Sequence, residues 1–374
     1  MNRKIRVLFD ANPLVRQKTG VGFYTEGLAK ALADTNRLEL VGHYFKPRSG
    51  AVDLPDVPNL TFSQNSWFVG QIAKALRKIG IRLPWEILSR RKADVLWFPD
   101  FTSWPSLFRK PKILTVHDLT FVDHPEFVTK RNLQYLRRFV KNDARNADLV
   151  LTISEFSKRR LIELFRIPAK KILVGPIPPT PAIKAAKGKG LPDKYILYFG
   201  TLEPRKNIQR LAEAYTELPQ ELKNTYSLVL AGGQGWKIEK TLAYVKQLQQ
   251  SGEAIKLTGY VDDAMRAALY GGAALVVIPS IYEGFGIPLL EAMTYGAPLA
   301  VSQIEVFKEV AGGAASYFDP NSAASIKNCL ESLLNDHGKR LDLVHKGSQQ
   351  LKKYSWQAVA NDVCERIEGL AKPK

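Results

Sequence analysis

The feature that most constrains the fold is an alternation of short apolar runs with longer helical patterns, which occurs twice along the 374 residues. This alternation is typical of proteins in which helices cover both faces of a parallel sheet. A segment rich in proline, glycine and lysine separates the two series at residues 175–192. The sequence therefore predicts an α/β chain of the Rossmann-like type, with two domains that face a central cleft.

Each series predicts a set of strands and helices. In the first, strands are expected at 5–9, 38–44, 95–98, 113–116 and 149–153, and helices at 22–33, 131–146 and 154–165. In the second, strands are expected at 195–199, 227–231, 255–258 and 275–279, and helices at 208–217, 236–250, 264–271 and 287–295. The domain boundaries that follow are 1–180 and 181–355.

Composition excludes several classes of protein. Apolar residues make up 45% of the chain and charged residues 24%, which is typical of a soluble globular protein. No apolar run approaches the roughly 20 residues of a membrane span, and the N-terminus reads as a first strand and not as a signal peptide. Because Cys329 and Cys364 fit no metal or redox spacing, a cytoplasmic protein is expected.

The charge is distributed unevenly. Residues 1–190 hold 34 lysines and arginines against 16 acids, so the whole net charge of +18 lies in the first half. A field of this kind attracts nucleic acid, an anionic membrane surface or phosphorylated substrates. Within residues 67–92, seven basic residues interleave with apolar ones such as Trp67, Phe68 and Trp85. The pattern suits a helix on an anionic membrane, and equally a helix that packs its apolar face inside the domain.

The segment PSIYEGFGIPLLEAMTYGAPLA, residues 279–300, carries the clearest functional pattern. Glu283 lies in a turn with Gly284 and Gly286, and Glu291 lies in the helix that follows. Glycines let a backbone approach a ligand closely, and a helix N-terminus attracts an anion. The two acids can accept hydrogen bonds from hydroxyls at the two ends of a nucleoside diphosphate sugar. The alternative is an ordinary strand–turn–helix unit with solvated acids.

A second loop supplies cations. The predicted strand 195–199 ends at Gly200, and Arg205 and Lys206 precede the next helix. A guanidinium binds phosphate oxygens in pairs and an ammonium acts as a point charge, so adjacent cations at a helix start can hold a diphosphate. The alternative is that Arg205 and Lys206 are an ordinary pair of basic residues on the surface, without a ligand.

Two further groups fall in the first half. Gly20 and Gly22 are expected in a loop that closes onto a helix and approaches a phosphate or a sugar, although the full dinucleotide fingerprint is absent. His117 follows a predicted strand at the edge where α/β clefts form, and its ring can donate or accept a hydrogen bond. No D-x-D, H-E-x-x-H or C-x-x-C motif is present, so no metal site is expected.

These segments resemble a retaining glycosyltransferase of the GT-B type, specifically the large family four. The residues that carry the resemblance are HDLTFVDHPEF (117–127), LTISEFSKRRL (151–161), YFGTLEPRKNI (198–208), the Gly-Tyr-Val and Ile-Pro-Ser context (259–280) and EGFGIPLLEAM (283–293). The resemblance covers nearly the whole chain. It departs from the family pattern at Thr201, where many relatives carry arginine, and this leaves Arg205 as the main guanidinium near the diphosphate.

The resemblance implies a role for each candidate residue. In the second domain, Arg205 and Lys206 would hold the diphosphate and Glu291 the ribose. The sugar would lie against Glu283 and the backbone of residues 284–286 (Gly284, Phe285 and Gly286). In the first domain, Gly20 and Gly22 would line the cleft near the phosphates. His117, with Glu283, would act at the reacting carbon, and a C-terminal helix within 356–374 would return to the first domain.

The resemblance also implies a function. We expect a hexose, with mannose from GDP-mannose as the first choice, to pass with retention to a saccharide or a polyprenyl-diphosphate-linked acceptor in cell-surface polysaccharide synthesis. UDP-glucose, UDP-N-acetylglucosamine and dTDP-rhamnose are the other donors considered. No metal, cofactor or nucleic acid is expected, and the protein is expected at the inner face of the membrane. A nucleotide-sugar epimerase is the alternative enzyme, and a basic nucleic-acid-binding protein is the non-enzymatic one.

Overall fold

The computed structural model of the protein describes residues 3–15, 20–46, 53–65, 72, 76–77, 79–81, 83–183 and 190–372. The chain divides into two compact units. The first unit consists of Met1–Val122, Lys130–Ile177 and Ser355–Lys374, and the second of Asp123–Thr129 and Pro178–Tyr354. Each unit contains one parallel sheet with helices, which confirms the predicted fold class.

The first unit is built on a seven-stranded parallel sheet with the order β3-β2-β1-β4-β5-β6-β7. Strands β4 and β6 are buried along their whole length, as expected for strands covered on both faces. The strands are β1 (Ile5–Asp10), β2 (Leu38–Phe45), β3 (Leu60–Asn65), β4 (Val95–Phe98), β5 (Lys112–Thr115), β6 (Leu149–Thr152) and β7 (Ile172–Val174).

Helices connect these strands. They are α1 (Gly20–Asp34), α2 (Trp85–Ser89), α3 (Thr120–Asp123), α4 (Lys130–Arg145) and α5 (Glu155–Phe165). Ser154 caps α5, because its hydroxyl accepts the backbone N–H of Ser157.

The second unit is built on a six-stranded parallel sheet with the order β10-β9-β8-β11-β12-β13. Its strands are β8 (Tyr195–Phe199), β9 (Ser227–Ala231), β10 (Ile255–Gly259), β11 (Leu275–Ile278), β12 (Leu299–Ser302) and β13 (Ser316–Phe318). Its helices are α6 (Ile208–Thr216), α7 (Gln220–Thr225), α8 (Glu239–Gln250), α9 (Asp263–Gly272), α10 (Ile287–Thr294), α11 (Glu305–Ala311), α12 (Ala323–Asn335) and α13 (His337–Leu351).

The last helix, α14 (Trp356–Ala371), belongs to the first unit and packs against α1. The contact is close at Gly27, where an added Cβ would lie 2.3 Å from the ring of Trp356. Trp356 also lies against Tyr24, with 6.1 Å between the ring centroids. Because any side chain at position 27 would overlap the indole ring of Trp356, this position requires glycine.

The strand order reverses at one point in each sheet, between β1 and β4 and between β8 and β11. In open parallel sheets, ligands bind outside the carboxyl ends of the strands at this switch point, because the loops there diverge to opposite faces. The loops after β8 and β11 contain Arg205, Lys206 and Glu283. The topology thus supplies a physical reason to look for a ligand site there.

The segment 67–92 was left open between a membrane-surface helix and a helix packed inside the domain. Trp67 and Phe68 lie outside the described residues. Trp85 is fully buried and contacts His43 edge-on and Trp104 by stacking, which agrees with the packed alternative at this residue. Its ring fills the core of the first unit. In the described part of the chain, no helix combines the length and apolarity that crossing a bilayer requires.

Candidate active site

The second unit brings two loops together at its switch point. One follows β8 and contains a 3₁₀ turn at Pro204–Lys206, and the other follows β11. The backbone N–H of Ile281 donates to the carbonyl of Arg205 over 2.8 Å. Asn207 ends the turn in the left-handed conformation and its side chain donates to the carbonyl of Pro320. Both loops are therefore held by backbone and side-chain contacts.

Glu283 is the centre of this site. Its carboxylate accepts hydrogen bonds from Lys206 Nζ at 2.5 Å, from Ser280 Oγ at 2.9 Å and from Arg205 Nη1. Burial would raise the pKa of Glu283, but the nearby charges of Arg205 and Lys206 outweigh it and lower the pKa to about 2. The carboxylate is consequently ionised and paired with two cations.

A second carboxylate, Glu203, lies on the other side of Arg205. Its Oε1 lies 2.5 Å from Arg205 Nε, and the residue is 3% exposed. Burial raises the pKa of Glu203, and the charges of Arg205 and Lys206 oppose this rise. The arrangement alternates acid and base across two loops, and the sequence analysis did not single out Glu203.

The turn before α10 requires glycine at position 286. Gly286 has φ of +109°, and a Cβ there would lie 2.6 Å from Leu289 Cδ1 and 2.9 Å from Phe307 Cε1. Both the conformation and the space therefore exclude other residues. Phe285 is buried and lies edge-on to Tyr354. The turn connects Glu283 to the N-terminus of α10, which begins four residues later at Ile287.

Glu291 is buried one turn into α10 and has its own partners. Tyr270 donates to Oε2 over 2.8 Å, and Arg266 Nη1 lies 3.3 Å from Oε1. Burial raises the pKa of Glu291, while Arg266 and the hydrogen bond from Tyr270 lower it. Tyr295 stacks on Tyr270 with the rings 1° from parallel. The carboxylate is thus fixed in orientation and can accept further hydrogen bonds.

In the first unit, Gly20 and Gly22 lie in the first turn of α1. The loop expected at Gly20 is wrong, because α1 already includes this residue, whereas Gly22 was also the first residue of the predicted helix 22–33. The first N–H groups of a helix have no intrahelical acceptor. That backbone N–H groups in the first described turn of α1 approach a phosphate or a sugar stays a prediction.

His117 lies just beyond β5, at the carboxyl edge of the first sheet. Its Nε2 donates to the carbonyl of Pro99 over 2.7 Å, and Tyr24 and Phe101 contact the ring. Burial lowers the pKa of His117, so the ring is neutral. With Nε2–H committed to a carbonyl, Nδ1 holds the lone pair. His117 can accept a hydrogen bond from a hydroxyl at Nδ1.

The structure brings Arg205, Lys206 and Glu283 into direct contact, and Glu291 into contact with Tyr270 and Arg266. Gly20, Gly22 and His117 belong to the first unit. Glu203, Ser280, Tyr270 and Arg266 were not predicted from the sequence. Glu203 and Ser280 lie inside motifs already selected, whereas Tyr270 and Arg266 are identified by the contacts of their side chains with Glu291. Across the described ranges, no cluster of three or more His, Cys, Asp or Glu side chains is placed to hold a metal ion.

Comparison with known families agrees with this division. Residues 18–177 match the family model Glycosyltransferase Family 4, and residues 179–350 match the model Glycosyl transferases group 1. Sucrose-phosphate synthase from Thermosynechococcus elongatus has the same fold, with a TM-score of 0.75 over 98% of this chain and 99% of that chain at 18% identity. Two parallel-sheet domains and these matches define a glycosyltransferase of the GT-B fold.

Relatives of known activity are more similar in sequence. The chain is 32% identical over 371 residues to O-antigen chain mannosyltransferase B of Escherichia coli, with 94% of this chain and 97% of the relative covered. It is 34% identical over 238 residues to the serotype-specific mannosyltransferase WbdA of Escherichia coli, which covers 60% of this chain and 29% of WbdA. The chain belongs to glycosyltransferase family 4.

Proposed function

We propose that the protein transfers mannose from GDP-mannose, with retention of configuration, to a lipid-linked saccharide during cell-surface polysaccharide synthesis. The observation that carries the choice of mannose is the similarity to the Escherichia coli O-antigen chain mannosyltransferase B along 94% of the chain. The donor site is the paired cluster of Arg205, Lys206 and Glu283, which lies at the switch point of the second sheet.

The charges of the site suit a departing diphosphate. Cleavage of the anomeric bond builds negative charge on the diphosphate, and fixed cations stabilise that charge without reorganisation. Arg205 and Lys206 supply the cations, and the N-terminus of α10 adds a positive dipole end. We propose that these groups serve in place of a metal. The proposal predicts that EDTA leaves the initial rate unchanged.

Glu283 and Glu291 act as binding groups in this proposal. Glu291 accepts ribose hydroxyls and Glu283 accepts sugar hydroxyls, each held by its own partners. With Glu283 ionised between two cations, it is not placed to serve as one of the two acid–base carboxylates of a glycosidase. His117 accepts a hydroxyl of the donor sugar at Nδ1, and the acceptor attacks on the face from which the diphosphate leaves. The anomeric configuration of the product, read by NMR, tests retention.

We also propose that the first unit faces an anionic membrane, where a polyprenyl-diphosphate-linked acceptor would lie. Ile87, Leu107 and Phe108 are 43%, 54% and 66% exposed. The buried carboxylate of Glu86 accepts from Ser106 Oγ and the N–H of Leu107, which fixes the loop that carries the last two. Exposed cations follow them closely in the chain, namely Arg90, Arg91, Lys92 and Arg109, and Arg91 and Lys92 line one cavity with Phe108. Apolar side chains framed by cations are typical of a monotopic membrane surface.

Sedimentation with liposomes tests the membrane part of the proposal. The full-length protein should sediment with vesicles that contain phosphatidylglycerol and remain in solution with phosphatidylcholine alone. The double variant Leu107→Glu/Phe108→Glu should abolish sedimentation at low salt. Leu341→Glu is the matched control, because Leu341 is 56% exposed in the second unit. Equal sedimentation of the double variant and the wild type would rule out this surface.

A thermal-shift panel tests the donor. A ligand that binds the folded protein raises its midpoint of unfolding by mass action. GDP and GDP-mannose should give larger shifts than UDP, UDP-glucose, UDP-N-acetylglucosamine, dTDP or dTDP-rhamnose. No shift with any of them would refute the donor site. Incubation with the donor alone tests the epimerase alternative, since complete isomerisation without release of nucleotide would refute the transferase.

A further inference from the structure

Glu203 is a buried acid directly before the 3₁₀ turn Pro204–Lys206. Its side chain accepts no backbone N–H of that turn. The carboxylate instead lies against the guanidinium of Arg205, with 2.5 Å between Oε1 and Nε.

This contact is the ionic partner that offsets the burial of Glu203. Within the described residues, no hydrogen bond of good geometry reaches Oε1, and the atom is shielded from solvent. A buried charge without a partner is costly. Burial raises the pKa of Glu203, so the ionised carboxylate does not contribute to folding stability on its own. The geometry of the site shows what the carboxylate does, which is to contact Arg205 at Nε.

Arg205 is held from two directions. Glu203 contacts its Nε, while Glu283 and the carbonyl of Tyr282 accept from Nη1. Glu203 belongs to the same loop as Arg205, and Glu283 and Tyr282 belong to the loop after β11. A diphosphate that binds at Arg205 competes with Glu283 for the guanidinium, because both are anions. A guanidinium held only by Glu283 would lose its orientation at the moment of binding.

We propose that Glu203 is a positioning residue that holds Arg205 at Nε, so that the guanidinium stays directed at the donor diphosphate while that anion competes with Glu283 for it. The proposal rests on the proposed function, because it requires Arg205 to bind the diphosphate. It concerns only the orientation of Arg205, and it assigns no contact between Glu203 and the ligand.

A double-mutant cycle on the full-length protein tests the proposal. The probe is whichever of GDP, UDP and dTDP gives the largest thermal shift, and its affinity is measured by calorimetry. Glu203→Gln keeps the shape and removes the charge, and is expected to weaken binding by about tenfold. Arg205→Met should weaken it by a similar factor. In the Arg205→Met background, Glu203→Gln should change affinity by less than about twofold, because residues that act through one another are not additive.

Stability separates positioning from a structural role. Because burial opposes the charge of Glu203, Glu203→Gln should keep or raise the thermal midpoint while affinity falls. Glu203→Asp keeps the charge but withdraws it from Nε, and should lose at least about threefold in affinity. Glu217→Gln, an exposed acid at the end of α6, is the control and should match the wild type.

The results distinguish the inference from the function on which it rests. Additive losses in the cycle, or unchanged affinity in both Glu203 variants, would overturn the positioning role. If Lys206→Ala abolishes binding in the same series, the donor site nevertheless stands. Unchanged affinity in Lys206→Ala would instead overturn the donor site itself.

Discussion

Lys206 Nζ lies 2.5 Å from Glu283 Oε1, across 77 residues of sequence, with both side chains 9% exposed. The contact joins the loop after β8 to the loop after β11, the two strands that flank the switch point. Because the same ammonium is proposed to bind the diphosphate, the contact connects the stability of the site to its function.

Substitution of Lys206 should therefore affect both properties. Lys206→Ala is expected to reduce donor affinity or turnover at least about tenfold, which corresponds to ~1.4 kcal/mol. It should also lower the free energy of unfolding by roughly 1.5–3 kcal/mol, since Glu283 keeps Arg205 and Ser280 but loses one charged hydrogen bond. Urea titration and initial rates measure the two effects. Lys223→Ala is the control, because it removes a comparable ion pair with Glu253.

Glu283 should give the protein a specific dependence on pH. Its pKa is about 2 in the folded state and 4.5 without the fold. The folded state thus binds fewer protons than the unfolded state between these values, and the stability from Glu283 is present above about pH 4.5 and is lost as the pH falls toward 2. Glu203 and Glu291 have raised pKa values and act in the opposite sense. The contribution of Glu283 to the pH dependence of stability is measured by comparing the wild type with a variant that lacks this carboxylate.

That variant is Glu283→Gln. Urea midpoints measured between pH 3 and pH 7 should fall less steeply with acid in Glu283→Gln than in the wild type, with about 1.4 kcal/mol lost for each unit of pKa shift. Glu217→Gln should follow the wild-type curve. Parallel curves for Glu283→Gln and the wild type would show that Glu283 is not ionised between its cations.

Much of the fold could be predicted from the sequence because its central strands are continuous apolar runs. The predicted strands 195–199 and 227–231 match β8 and β9 at both ends. The strands that were missed are β3, β7, β12 and β13. Of these, β7 and β13 have three residues each. Runs of this length carry too little periodicity to be recognised, and these two become strands because β6 and β12 offer them a pairing edge.

The candidate site was selected from the sequence for a similar reason. Arg205, Lys206 and Glu283 lie in short loops that contain proline or glycine, and such loops at strand ends are typical of ligand sites. That this cluster binds a donor stays a prediction. Their pairing depends on the adjacency of β8 and β11, which a single sequence does not state. The orientation of His117 depends on the carbonyl of Pro99, a backbone group without any sequence signal.

Gly286 should tolerate no side chain. Gly286→Ala places a methyl group 2.6 Å from Leu289 Cδ1 at φ of +109°, and strain of this kind costs about 1–3 kcal/mol. We expect a lower thermal midpoint and weaker donor binding, because the start of α10 must move. Gly369→Ala is the matched control, since an added Cβ there meets no atom within 4 Å. An unchanged midpoint in Gly286→Ala would contradict the conclusion that position 286 excludes a side chain.

Tyr270 and Tyr215 provide a matched pair for Glu291. Both are fully buried, and each hydroxyl donates one strong hydrogen bond, Tyr270 to Glu291 at 2.8 Å and Tyr215 to the carbonyl of Tyr226 at 2.9 Å. Either change to phenylalanine should lower the free energy of unfolding by about 1–3 kcal/mol, because an acceptor loses its donor. Only Tyr270→Phe releases the carboxylate proposed to bind ribose.

Nucleotide affinity should therefore separate the two variants. Tyr270→Phe should weaken binding of the nucleoside diphosphate by about three- to tenfold, and Tyr215→Phe should leave it unchanged. Calorimetry with the nucleoside diphosphate, beside urea titrations of both variants, gives the comparison. Equal affinity in both variants, with equal loss of stability, would show that the hydrogen bond from Tyr270 serves the fold alone. Binding of ribose by Glu291 would then not depend on the hydrogen bond from Tyr270.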